Sequence, residues 1–414
     1  MDDLGLSINQ YSVFGSILAI GAMLGAGISG KISDFFGRRK AMGISEIICI
    51  MGWLSITFTK SAWLLNLGRL FTGCGVGLLS FAIPVYIAKI TPKNLRGGFA
   101  ALHQFVLSVG TALTYFIGAV VSWRILALVG IIPCVAQFLG LFIIPESPRW
   151  LAKIGLQNES EAALRRLRGE NANISEEANE INEYIKNLSL VREGRILDLF
   201  QWTYARSLTV GIGIMLLQQF AGTNAINFYA SSIFNEAGFS ADIGAVVMAV
   251  IKIPMTILCV FLMDRTGRKS LLLVSVLGTC LGCFLVALSF SLQDLPQWKD
   301  YFTPLLVFIG ITIYNASSGL GLAGIPWIIM SEIFPINMKG SAGSLVSLIN
   351  WFSSWIVAYI FNFMMQWSSA GTFYIFLGIC CVGVVFIAKL VPETKGKTLE
   401  EIQALMTQPF THIV

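Results

Sequence analysis

Charge is what this sequence has least of. Asp, Glu, Lys and Arg make up 12% of its 414 residues, about half the share of about 25% usual in soluble chains. Residues 11–30 contain none of the four, and residues 41–59 contain only Glu46. Histidine is nearly absent: His103 and His412 are the two, and no nucleophile or metal motif accompanies either. Enzymatic function is therefore not expected, and neither is a cofactor or a metal. The eight cysteines (Cys49, Cys74, Cys134, Cys259, Cys280, Cys283, Cys380, Cys381) all lie in apolar runs without disulfide or zinc spacing, and read as helix-packing thiols. The ten-residue alternating segments of a membrane β-barrel are missing too. Residues 1–10 are polar and acidic, which does not read as a cleavable signal peptide.

What is present is hydrophobic residue, 55% of the chain, in runs of about 20 residues, the length that crosses a hydrocarbon core as a helix. The chain reads as an all-α polytopic membrane protein. Eleven spans are expected, near 11–32, 41–59, 66–88, 99–121, 124–144, 207–232, 243–263, 270–291, 303–330, 342–366 and 372–391. Alternate loops then divide the 28 Lys and Arg very unevenly. Twenty-three fall on one side and four on the other, with Lys252 inside a span. The basic side is expected in the cytoplasm, which puts the N-terminus outside and the C-terminus inside. The one long interruption, 145–206, carries charge-laced segments at 159–170 and 175–200 that read as amphipathic cytoplasmic helices. The expected organisation is a five-span bundle (1–144), a cytoplasmic loop (145–206), a six-span bundle (207–391) and a cytoplasmic tail (392–414).

Short phrases recur in order. Asp34-x-x-Gly37-Arg38-Arg39 returns as Asp264-x-x-Gly267-Arg268-Lys269, 230 residues later. "PKNLRG" (92–97) returns as "PINMKG" (335–340), "LHQF" (102–105) loosely as "LINW" (348–351), and "PESPRW" (145–150) as "PETKGK" (392–397). Ordered matches at nearly constant offset indicate a duplicated half of the parallel type. Measured with that ruler, the counterpart of the second half's first span falls ahead of Met1, so the first half is expected to lack one helix.

Together "GRL" with Arg69, "PVYIAKITPKNLRG" (84–97), "PESPRWL" (145–151), "QQFAGTN" (218–224), "DRTGRK" (264–269), "IPWIIMSEIFP" (325–335) and "PETKGKTLEEI" (392–402) resemble the sugar porters of the major facilitator superfamily, in wording closest to the plant monosaccharide transporters named for early response to dehydration. The resemblance implies a major facilitator fold in which two six-helix bundles rock around a central sugar site.

A sugar is uncharged and dense in hydroxyls, so it needs amide side chains and aromatic faces. Buried amides are costly in a bilayer unless they find partners. Gln218 and Asn224 are six residues apart, about 240° around an unbroken helix, and share no face unless Gly222 lets the helix unwind. By resemblance, Gln104, Gln218, Gln219, Asn224, Trp327 and Asn350 match the family's sugar-binding positions. Any one of these amides alone reads more readily as an interhelical packing contact. For Trp351, beside Asn350, packing and substrate contact weigh equally. Phe228 and Tyr229 occupy the place of an aromatic pair, usually two tyrosines, that closes the site from outside. Lys252 sits mid-span, where a lysine costs about 2.5–3.5 kcal/mol. Facing a cavity or partner and snorkelling are equal readings for it.

The resemblance implies that the charged phrases form a cytoplasmic ion-pair gate, which in that family locks the outward-facing state. Asp34, Arg38, Arg39, Arg96, Glu146 and Arg149 would serve it in the first half. Asp264, Arg265, Arg268, Glu332, Lys339 and Glu393 would serve it in the second. Plain positive-inside anchoring accounts for the basic residues but not for the repeated Asp and Gly spacing. The chain departs from the family pattern at Lys89, where a glutamate is usual, at Phe35 and Lys339, where arginine is usual, and at Gly324, where proline is usual. "GLGLAG" (319–324) satisfies a dinucleotide-binding pattern but sits in a membrane run, and reads as a helix that can bend. Gly21-x-x-x-Gly25 reads as a packing motif.

The resulting expectation is a membrane carrier of a monosaccharide, a hexose such as glucose by default, working by facilitated diffusion. Its partners would be the sugar and the lipid bilayer, with no nucleic acid and a monomeric transport unit, in the vacuolar or the plasma membrane. A truncated non-transporting isoform, sensor or dominant-negative product stays open, as does a proton-coupled symporter. Three glycosylation sequons, at Asn158, Asn173 and Asn187, fall in the loop assigned to the cytoplasm. Endoglycosidase treatment of the protein from a eukaryotic host should leave its electrophoretic mobility unchanged; a shift that disappears on Asn158→Gln would reverse the orientation.

Overall fold

In hydrocarbon no water is available to an unpaired N–H or C=O, so long apolar segments close their hydrogen bonds internally as helices. The computed structural model describes residues 7–92, 96–169, 173–190, 196–293, 295, 302–335, 338–397 and 399–407, with helices and no strand among them. The first helices are α1 (Ile8–Phe36), α2 (Arg38–Thr57), α3 (Ala62–Ile90), α4 (Arg96–Gly118) and α5 (Trp123–Gly140). Three shorter ones follow, α6 (Pro148–Lys153), α7 (Gln157–Arg168) and α8 (Ser175–Leu190). After turns at Ile196–Phe200 and Trp202–Tyr204 come α9 (Ala205–Phe220), α10 (Thr223–Phe228), α11 (Ala230–Glu236), α12 (Ala241–Thr266) and α13 (Arg268–Leu292). α14 (Phe302–Ser317) runs through a π-turn, Ser318–Leu322, into α15 (Ile325–Ile333). The chain closes with α16 (Lys339–Trp367), α17 (Ser369–Leu390) and α18 (Leu399–Thr407).

Among the described residues nine helical segments are long and apolar enough to cross a membrane, and Leu102–Gly118 is a shorter apolar helix. The expected span at 207–232 is not one helix. It is cut into α9, α10 and α11, because Gly222 adopts φ +93° between the first two. The segment expected to be helical over 175–200 is helical to Leu190 and forms a separate 3-10 turn from Ile196, with 191–195 outside the described residues. Side-chain exposure identifies the solvent. On α5 the large apolar residues Ile125, Leu128, Ile132, Val135 and Leu139 are exposed, and Ala127 is the one buried position. Such a surface is stable against lipid tails and not against water.

By internal contacts the chain divides into two compact units. One comprises Met1–Gln10, Ile17–His103 and Trp123–Gly194; the other comprises Tyr11–Ser16, Gln104–Ser122 and Arg195–Val414. In the first, α2 packs on α3 and α5. A Cβ added at Gly21 or Gly25 of α1 would strike Leu70 O or Cys74 O of α3, and one at Gly73 or Gly77 of α3 would strike Leu18 O or Ala22 O. Two small-xxx-small stripes therefore face each other, as Gly21-x-x-x-Gly25 led one to expect. Arg168, at the end of α7, donates to both carboxylate oxygens of Glu177 (2.9 and 2.8 Å) and to Ile90 O (2.9 Å), tying the amphipathic helices to the end of α3.

In the second unit, α13 packs on α14 and α17, the same order of partners that α2 has in the first. Its core has two parts. Ile214, Met215 and Leu217 of α9 join Ile329 and Ile333 of α15 and Val346 of α16. Tyr229, Ile233 and Phe234 join Phe361, Phe373 and Phe376.

Single glycines make the corners between α1 and α2 and between α12 and α13. Gly37 has φ 90° and ψ 163°, and Gly267 has φ 92° and ψ 162°, a region that side chains other than glycine's avoid at a cost of about 1–3 kcal/mol. Each corner frees the first N–H groups of the next helix, and one carboxylate collects them. Glu146 Oε1 accepts from Arg38 N (3.0 Å) and Ser147 N (2.8 Å), and Oε2 accepts from Arg39 N (3.1 Å). Glu393 does the same for Arg268 N (2.9 Å) and Lys269 N (3.1 Å). A negative charge there also complements the helix dipole. An added Cβ at Gly37 or Gly267 would stand 2.5 Å from Glu146 Oε2 or Glu393 Oε2. Gly37→Ala and Gly267→Ala should each lower the thermal unfolding midpoint in detergent, whereas Gly378→Ala, with nothing within 4 Å, should not. Equal midpoints for all three would contradict the role of these corners.

Candidate functional site

Breaking a helix at membrane depth strands backbone carbonyls, each costing several kcal/mol unless partnered. At the Gly222 break, side chains supply those partners. Tyr314 OH donates to Ala221 O (3.0 Å) and lies 3.3 Å from Thr223 Oγ1. Further along, Asn227 Nδ2 donates to Thr223 O within α10 (2.7 Å), and at the α10–α11 junction Tyr115 OH donates to Asn227 O (2.6 Å). The π-turn is sealed from the same side, because Gln218 Nε2 donates to Leu322 O (2.8 Å) and Ala323 O (3.2 Å).

With the break in place, amides from three helices, α9, α10 and α16, meet. Gln219 Nε2 donates to Asn350 Oδ1 of α16 (2.8 Å). Asn224 Nδ2 donates both to Gln219 Oε1 (2.9 Å) and to Ser354 Oγ (2.8 Å). Gln218, Gln219 and Asn350 are 6%, 4% and 5% exposed, while Asn224 is half-buried. Gln218 Oε1 is buried and has no hydrogen-bond partner among the described residues. The cluster thus holds amide donors and acceptors in fixed orientations, with one acceptor to spare, a set suited to hydroxyl groups.

Of the six amide and tryptophan positions picked out in the sequence, Gln219, Asn224 and Asn350 come together, and Gln218 turns to the π-turn carbonyls. Gln104 and Trp327 are half-buried and make no hydrogen bond to the cluster among the described residues. Gln104 lies one turn before Ser108, whose hydroxyl is 3.3 Å from Thr256 of α12. Trp327 packs against the α9–α15 core. Trp351 is half-buried. The aromatic pair divides. Phe228 is 40% exposed, whereas Tyr229 is buried, donates to Ala358 O (3.1 Å) and stacks on Phe361 at 5.3 Å. Tyr11 meets the Tyr229 ring edge-on at 5.7 Å. The stem of Lys252 lies against Gly319 of the π-turn.

The sequence reading missed Ser354, although its spacing of four from Asn350 puts both on one helix face. It also missed Tyr314 and Tyr115, for which no local signal exists, since neither sits near the motif it serves in sequence.

At the charged ends the structure sorts side chains by unit. In the first, Arg38 Nη2 pairs with Asp34 Oδ1 (2.6 Å), Lys153 Nζ lies 3.7 Å from Asp34 Oδ2, and Trp150 Nε1 donates to Asp34 O (2.8 Å). In the second, Arg268 Nη2 reaches Glu332 Oε1 at 3.3 Å, and Lys395 Nζ donates to Arg265 O (2.6 Å). Glu146 and Glu393 cap helix starts through backbone N–H groups, an arrangement the ion-pair reading did not anticipate. Arg149 is half-buried. The side chains of Arg96, Asp264 and Lys339 lie outside the described residues.

Comparison with known proteins agrees on one family. Residues 4–406 match the family model described as "Sugar (and other) transporter". The chain is 50% identical over 405 residues to "Sugar transporter ERD6-like 7" of Arabidopsis thaliana, covering 98% of this chain and 87% of that protein. Among solved structures, the inward-open xylose transporter XylE from E. coli is similar with TM-score 0.80 and 26% identity over 97% of this chain and 91% of that one. The proton:xylose symporter XylE bound to 6-bromo-6-deoxy-D-glucose is similar with TM-score 0.79 and 26% identity over 98% and 92%.

Burial pushes the Glu393 carboxyl up, but donors from Lys395, Arg268, Lys269 and Thr394 outweigh it and hold the group below the ordinary carboxylate range. A depressed folded-state value means the cap stabilises fully above the ordinary glutamate value and is lost as pH falls through the depressed one. The stability gap between wild type and Glu393→Gln should therefore be full at neutral pH and close on acidification. A gap of constant size across that range would contradict it.

Proposed function

The chain belongs to the sugar (and other) transporter family, and on that premise we propose that this multi-pass membrane protein carries a monosaccharide, a hexose such as glucose, by alternating access and facilitated diffusion. The amide cluster at the Gly222 break carries the reading. Gln219, Asn224 and Asn350 present polar groups from three helices, and among the described residues Gln218 keeps an unpartnered acceptor for a hydroxyl. Gln104 and Trp327 complete the sugar contacts, and Phe228 with Tyr229 closes the outer side.

The chain crosses the membrane eleven times, counting the broken α9–α11 segment and the short apolar α4 with the nine long segments. Its organisation is 1–144, 145–206, 207–391 and 392–414, with α6–α8 and the C-terminus in the cytoplasm. The uneven placement of Lys and Arg supports that orientation. The cytoplasmic ends form the gate. Asp34 with Arg38 and Glu332 with Arg268 are its ion pairs, the caps of Glu146 and Glu393 are its fixed points, and Arg39, Arg96, Arg149, Asp264, Arg265 and Lys339 belong to it. The transport unit is a monomer, in the vacuolar or the plasma membrane. A second reading, proton-coupled symport, is favoured by one observation: a similar structure is that of a proton:xylose symporter.

Liposomes containing the purified chain should show glucose counterflow above empty liposomes, unchanged by a protonophore. Gln219→Ala and Asn350→Ala should each cut it about tenfold or more. Counterflow equal to empty liposomes would sink the transport reading, and accumulation driven by an inward proton gradient would replace facilitation with symport.

A further inference from the structure

In the first unit a groove of about 750 Å³ opens between the start of α2, the end of α5 and the α6–α7 turn. Its walls are apolar. Ile44 and Ile47 come from α2, Phe138 from the end of α5, Phe142 from the turn after it, and Ile154 and Leu156 from the α6–α7 turn. Phe142 is 64% exposed, Ile47 48% and Ile154 46%. Ile154 and Leu156 are telling, because they lie outside any span and nothing in a transmembrane run requires them to be apolar. Trp150 adds a flat indole, fixed by its hydrogen bond to Asp34 O.

The mouth of the groove has the opposite character. Arg39 and Lys40 line it at the first turn of α2, and among the described residues neither has an ion-pair partner. Of the two carboxylates present, Glu146 is occupied by the N–H groups of Arg38, Arg39 and Ser147. Glu146 keeps its charge while its oxygens are taken up by those donors, so two carboxylates and two cations line the mouth, and Arg39 and Lys40 are the cations there that no carboxylate pairs among the described residues. The site therefore continues the lipid-facing surfaces of α2 and α5 into a pocket and ends it at two cations left without an ion-pair partner among the described residues. An extended peptide is a poor occupant, since these walls supply almost no partner for its backbone groups. An amphiphile with hydrocarbon chains joined to an anionic head satisfies both parts.

We propose that this groove is a binding site for an anionic glycerophospholipid, with Arg39 and Lys40 on the headgroup and Ile47, Phe142, Ile154 and Leu156 on the acyl chains. It is separate from the amide cluster, and its occupancy is read without any sugar flux.

Native mass spectrometry of the protein in neutral detergent tests this, with dioleoyl phosphatidylglycerol titrated against dioleoyl phosphatidylcholine. The proposal expects one saturable phosphatidylglycerol adduct and a raised unfolding midpoint, neither reproduced by phosphatidylcholine. Lys40→Gln should weaken that adduct roughly fivefold and Lys40→Arg should restore it, both variants staying monodisperse on size exclusion. Phe142→Ser should weaken it as well. Water-soluble glycerophosphoglycerol should not compete at matched concentration; if it does, the site is one for a free anion. Equal retention of the two lipids, or a phosphatidylglycerol adduct indifferent to Lys40→Gln, would overturn the proposal and leave ordinary annular lipid.

Discussion

A backbone carbonyl inside hydrocarbon must have a donor. That constraint shapes the second unit around Gly222 more than any single apolar contact does. Gly222 turns the chain with φ +93° and frees carbonyls that α9 would have used. Tyr314, Tyr115, Asn227 and Gln218 then give up their donors to the break, to α10 and its junction with α11, and to the π-turn. What the break leaves over is the useful part. Gln219 and Asn224, which could not share a face of a continuous helix, now hydrogen-bond to one another. Asn350 and Ser354 hold them from α16.

The same requirement recurs where helices meet at single glycines. A corner at Gly37 or Gly267 exposes helix N-termini at the edge of the apolar region, and Glu146 and Glu393 return from far along the chain to cap them. The arginines beside them keep their guanidinium groups for acids, Arg38 for Asp34 and Arg268 for Glu332. Each corner thereby couples two bonds of different kinds, a backbone cap that fixes the turn and a side-chain ion pair beside it.

Much of this was legible in the sequence. The scarcity of charge identified the membrane, and the six-residue spacing of Gln218 and Asn224 showed that they share no face of an unbroken helix, with Gly222 as a place to unwind; the break falls there, but it joins Asn224 to Gln219. Glycine richness at 319–324 announced a bend, which is the π-turn. What stayed hidden shares one physical cause: it depends on how helices are rotated relative to each other, which no local pattern encodes. Tyr314 and Tyr115 look like ordinary span residues until they face the broken segment. Gln218 belongs to the same phrase as Gln219 yet turns to a different neighbour, because adjacent helix positions point about 100° apart. Glu146 and Glu393 looked like ion-pair partners because proximity to basic residues is visible in sequence, whereas a hydrogen bond to a backbone amide over a hundred residues away is not.

The central claim is that the amide cluster at the Gly222 break is where a sugar binds. Saturation-transfer NMR on glucose with the purified protein tests it most directly, since it reports contact with the site whether or not a transport cycle follows. The account predicts transfer to the glucose ring protons that excess unlabelled hexose abolishes, and that is lost in a correctly folded Gln219→Leu, Asn350→Leu double variant. Undiminished, competable transfer in that variant would contradict it.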